Sequence, residues 1–270
     1  MALRVTGPDP TVALVTTQMF ARAVVSISAA ILLFSLYRYG THVLTARGLR
    51  RNVIYFAIGT GAAFIYGITG IMAIPFSNPW LPVLSEGATL FFIMFYALGF
   101  RAFYFSAPNI NRDHHSDRVP RSVLRQYLPI WLDYVIIASY IVGWWATVLV
   151  IPEGTAIIVA VGWVLASAWA LVWAILIVSR HEGTSLASLT RHLFPAIVAF
   201  TVTILSDLWG RNVPGWDHIV TATWIVGTVF LGGFFLSTAI ALRQESGEVE
   251  RIYDWTTHRS DRFSGDDPEP

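Results

Sequence analysis

The chain has 270 residues, of which 55% are hydrophobic and only 13% charged, with a formal net charge of +1 and a mean hydropathy of +0.58. Soluble domains carry about a quarter charged residues, so most of this chain has no water to face. There is no Cys, and all 18 basic residues are Arg. These absences exclude disulfides, thiolate nucleophiles, Cys-ligated zinc and iron–sulfur sites, Schiff-base chemistry and a P-loop lysine.

A helix needs ~20 mainly apolar residues to cross ~30 Å of hydrocarbon. Seven stretches meet or approach that length, at about 15–37, 53–75, 83–105, 128–151, 155–178, 192–209 and 216–242, the sixth being the shortest. The expected fold is all-α, an integral membrane bundle of seven transmembrane helices over residues 1–243. The 11 Trp, 10 Tyr and 17 Phe suit aromatic belts at the two interfaces. No cleavable signal stands out, since two Pro, a Gly and an Asp precede the first apolar run. Residues 244–270 hold eight acids against three Arg without apolar periodicity, which predicts an acidic, disordered tail.

Arginine sets the expected direction. With the N-terminus outside, the inner loops collect Arg38, Arg47, Arg50, Arg51, Arg101, Arg112, Arg118, Arg121, Arg125, Arg180, Arg191 and Arg243. Arg4, Arg211 and Arg22 are left on the outer side. That bias predicts a multi-pass cell-membrane protein with its N-terminus outside and its C-terminus cytoplasmic, an orientation that requires an odd number of spans. The largest inner loop, 106–122, contains Asp113, His114, His115 and Asp117 between arginines. With no second cluster to complete a ligand set, it reads as a solvated loop, and no metal site is expected. Nothing points to a nucleic-acid partner; the lipid bilayer is the expected surrounding.

Ionisable residues inside a span cost about 2.5–3.5 kcal/mol on insertion scales, so each needs a reason. Arg22 lies 16 residues before Arg38, about 24 Å along a helix, which puts it in the outer third of the membrane. Glu86 opens the third span and Asp207 closes the sixth at similar depth. A buried Arg22–Glu86–Asp207 cluster is one reading; three helix ends snorkelling to water is the other. Asp133, near the inner start of the fourth span, reads as a helix cap or as a group on a proton path. His192 and His218 open the sixth and seventh spans on opposite sides, so they cannot share a haem iron. Small residues at Gly59, Gly61, Ala62, Ala63, Gly67, Gly70, Gly227, Gly232 and Gly233 mark close helix packing. Nucleophile-elbow and paired aspartate-rich motifs are absent.

Three segments carry a family resemblance. RRNVIYFAIGTGAAFIYGITGIM (50–72), LPVLSEG (81–87) and TVFLGGFFLSTAIALRQESGE (228–248) resemble the second, third and seventh helices of microbial rhodopsins of the haloarchaeal sensory type. The resemblance implies seven helices, N-terminus outside, with Glu86 at the Schiff-base counterion position. It also implies a retinal-bearing Lys in the seventh helix, where this chain has Thr228, or Phe230 with a small shift. Val83 and Gly87 replace the expected Arg and Trp, and the sixth-helix Trp-Tyr-Pro pattern is not found around Phe194 and Pro195. Covalent retinal is therefore not available.

Three functions follow as expectations. The first is an opsin-like sensory, signalling or accessory membrane component. It leaves room for a non-covalent carotenoid or retinoid and for a membrane partner protein at helices 6 and 7, as the resemblance implies. The second is a membrane enzyme acting on an isoprenoid, carotenoid or lipid, with Glu86, Asp133, Asp207 or His218 as acid–base groups. The third is a chromophore-free ion or proton conductor.

Overall fold

A computed structural model describes residues 10–40, 50–76, 78–106, 129–151, 155–180, 185–210 and 215–264. The described residues are almost wholly helical: α1 Pro10–Ser35, α2 Arg50–Met72, α3 Trp80–Ser106, α4 Ile130–Val150, α5 Thr155–Arg180, α6 Ser185–Gly210 and α7 Asp217–Ser264. Leu36–Gly40 extends α1 by one π-helical turn. All seven helices are long and apolar enough to cross a membrane. The sixth, shortest in hydropathy, runs 26 residues through Pro195.

Turn chemistry fixes several helix ends. The Asn78 side chain accepts the Trp80 N–H (3.0 Å), giving one orphan donor of α3 a partner. Pro82 falls in the first turn, where its missing N–H is tolerated. Gly215 has a φ of 86°, a left-handed conformation that leads the chain into α7.

Six helices close a ring in the order α1, α2, α3, α5, α6, α7 and back to α1. The fourth helix stays outside it, touching α3 and α5. Only 11% of the α4 span is buried, against 72% of the α3 span. The sequence could not show this, because an apolar helix facing lipid looks like one facing protein. Where α4 does dock, its rings fill gaps left by glycine: Trp144 lies over Gly87 of α3, and Tyr140 over Gly162 of α5.

The bundle centre is aromatic. Phe92 lies 6.0 Å from Trp163, 6.1 Å from Phe200 and 5.9 Å from Phe235, joining α3 to α5, α6 and α7. Phe56 packs edge-on to Tyr96 and Phe100, both at 5.2 Å, and Tyr96 bonds to Thr60 (2.9 Å). These rings are fully buried or nearly so. Of the glycines read as packing positions, Gly59 lies against Tyr96, Gly67 against Ser26, Gly227 against Thr203 and Gly232 against Val24, while Gly61 and Gly233 have open space.

Past Arg243, where the sequence reads as an acidic tail, α7 continues as helix to Ser264. Gln, Glu and Arg are good helix formers, which suits that continuation. Residues 265–270 lie outside the described ones.

Candidate functional site

The bundle has two ends. One carries the starts of α1, α3, α5 and α7; the other carries Arg38, Arg101, Arg191 and Arg243. At the first, a cavity of about 350 Å3 opens between the helices. Its polar lining is Gln18 and Arg22 of α1, Tyr66 of α2, Ser85, Glu86 and Thr89 of α3, and Thr221 and Trp224 of α7. Val159 and Ala160 of α5, Ile204 of α6, Val220 of α7, Ala73 and Pro82 form the apolar part of the wall. Every helix of the six-membered ring contributes, and α4 does not.

Arg22 is partly buried. Its guanidinium carbon stands 5.1 Å from the Trp224 ring centre and 5.9 Å from that of Tyr66, so two π-faces of α7 and α2 help to hold the cation. Its stem crosses α2 at Gly70, where any Cβ would overlap the guanidinium. The Arg22 Nε is buried without a hydrogen bond among the described residues. Behind Glu86, the Thr89 hydroxyl donates to the Glu86 carbonyl (2.7 Å) and accepts the Trp163 Nε1–H (3.2 Å). That chain couples the cavity floor to the aromatic centre.

Of the three residues expected to cluster, Arg22 and Glu86 line this one cavity. The backbone of α6 runs through Asp207, whose side chain lies outside the described residues. His218 is exposed at the start of α7. At the other end, His192 Nδ1 bonds to Ser237 Oγ (3.0 Å), tying α6 to α7. The loop carrying Asp113, His114, His115 and Asp117 lies outside the described residues.

Thr228 is fully buried and its hydroxyl has no hydrogen bond among the described residues. Phe230, the other position aligned with the missing lysine, is 56% exposed and faces outward. The cavity reaches Trp224 on α7 and stops one turn short of Thr228.

Asp133 is the acidic residue in the first turn of α4 and forms an ion pair with Arg101, with side chains 9% and 2% exposed. The Arg101 guanidinium also lies 5.5 Å from the Phe105 ring and 6.0 Å from Trp173. Arg101 is therefore not the loop arginine that the charge count makes it. Next to this pair, the Tyr55 and Tyr134 hydroxyls share a hydrogen bond. An apolar crevice of about 310 Å3 between α3, α4 and α5 ends on Asp133.

Comparisons with protein-family models, with curated proteins and with solved structures found no match for this chain.

Proposed function

We propose that this multi-pass membrane protein is a sensor, opsin-like in plan but without a covalent chromophore, that takes a small ligand into the cavity at the end where α1 begins. The observation that supports it is the lining itself: six helices meet around one space of mixed polar and apolar lining that contains Arg22 and Glu86. An occupant touching six helices biases their packing whenever it fits one arrangement better than another, which is the requirement for a ligand-driven switch. The α7 helix gives the output: Thr221 and Trp224 line the cavity, and the same helix runs beyond its apolar span to Ser264. Positive-inside bias puts that extension in the cytoplasm and the cavity outside. A partner protein at α6 and α7 would read the motion there.

The ligand on this reading is small and sits at the end of the bundle. The aromatic rings around Phe92 occupy the centre, where a carotenoid or retinoid would lie. An absorption spectrum of the protein purified from its native membrane tests this. The expected result is a bare protein band. A polyene band that survives purification would return the ligand to the bundle interior.

The enzyme reading is weaker on one specific point. It requires acid–base groups to converge, yet Glu86 and Asp133 lie toward opposite ends of the bundle, and Asp133 is neutralised by Arg101. The conductor reading meets the same aromatic centre, with no polar path across it among the described residues.

A further inference from the structure

We infer that the cavity recognises a small monocarboxylate, with Arg22 as the residue that binds the acid group; this rests on the sensor reading above. A guanidinium is planar, and its N–H groups lie in the plane. The guanidinium carbon lies 5.1 Å from the Trp224 ring centre and 5.9 Å from that of Tyr66, and the buried Nε has no hydrogen bond among the described residues, which leaves its N–H edge for a partner. A planar, bidentate acceptor suits that edge best, and a carboxylate has that shape.

The surroundings supply the rest of the recognition. Gly70 leaves no room for a side chain beneath Arg22, so the guanidinium is seated at a fixed place against α2. Gln18, Ser85 and Thr221 add neutral polar groups to the lining, while the Thr89 hydroxyl is already engaged by Trp163 and the Glu86 carbonyl. Val159, Ala160, Ile204 and Val220 form an apolar wall for the ligand's body. Glu86 of α3 lines the same cavity, so a ligand with one acid group suits the site better than one with two. A volume of about 350 Å3 suits a compact molecule, near the lower bound for small-molecule pockets of roughly 300 Å3.

The test is calorimetric titration of the full chain in nanodiscs with benzoate and phenylacetate, each compared with its primary amide. The acids are expected to bind at least tenfold more tightly than the amides. Arg22→Gln should abolish that preference by weakening acid binding at least tenfold. Gly70→Ala, which keeps the charge but displaces the guanidinium, should weaken acid binding in the same direction and guards against a variant that fails to fold. Equal binding of acids and amides to the wild-type protein would overturn the carboxylate inference and leave the ligand cavity standing. Absence of binding by all four compounds would overturn both.

Discussion

Two charged residues inside the bundle illustrate how membrane burial dictates pairing. Arg101 sits five residues before the end of α3 and Asp133 three residues after the start of α4, so both lie about one turn inside the same end. Isolated, each would be a costly buried charge; paired, they neutralise one another. Removing one partner strands the other. Asp133→Leu is expected to destabilise the protein by about 3–5 kcal/mol, whereas Arg101→Met combined with Asp133→Leu should recover most of the loss. Reversible unfolding in mixed micelles measures both, and a double variant as unstable as the single one would show that the pair does not act as a unit. This pairing was legible in principle. Depth matching, the logic that groups Arg22 with Glu86, applies equally to Arg101 and Asp133. Counting Arg101 by its nearness to a loop concealed that it lies within an apolar run. The seating of Arg22 against Gly70 was not legible, because a glycine's neighbour across a helix interface depends on rotation and register that no local pattern encodes.

At the level of elements, helix existence was written in hydropathy and helix neighbours were not. All seven spans were predictable because the bilayer demands a run of apolar residues of set length. That α3 is central and α4 peripheral depends on which faces meet, and with lipid as apolar as a protein interior the faces carry little contrast. Close approach of α2 to α3 depends on Gly59, whose Cβ would stand 2.6 Å from the Tyr96 ring. Gly59→Val should cost about 1–3 kcal/mol through overpacking. Gly61→Val, where nothing lies within 4 Å, should leave the melting temperature nearly unchanged; equal effects at the two sites would contradict this account of the interface. The continuation of α7 past Arg243 is not written in hydropathy. Its acidic composition resembles a solvated tail, but composition alone does not distinguish a polar helix from a coil.

At the scale of the whole molecule, the fold divides its labour between two ends and a centre. The arginine end holds α4 through Arg101 and Asp133 and ties α6 to α7 through His192 and Ser237. The centre is packed with rings, and the opposite end opens into a cavity walled by six helices. The resemblance to retinal proteins placed attention on Thr228 and the seventh helix. The geometry moves it one turn away, to Trp224 and the arginine over its ring. Because the chain has no Cys, single cysteines report access without background. The direct test of an outward-opening cavity is therefore labelling of Ser85→Cys and Thr221→Cys in intact cells with an impermeant, thiol-reactive sulfonate. Asn78→Cys in the exposed α2–α3 turn serves as the positive control and Thr238→Cys, fully buried toward the arginine end, as the negative one. The account predicts labelling of Ser85→Cys and Thr221→Cys together with Asn78→Cys, and none of Thr238→Cys. Labelling of Asn78→Cys alone would contradict it.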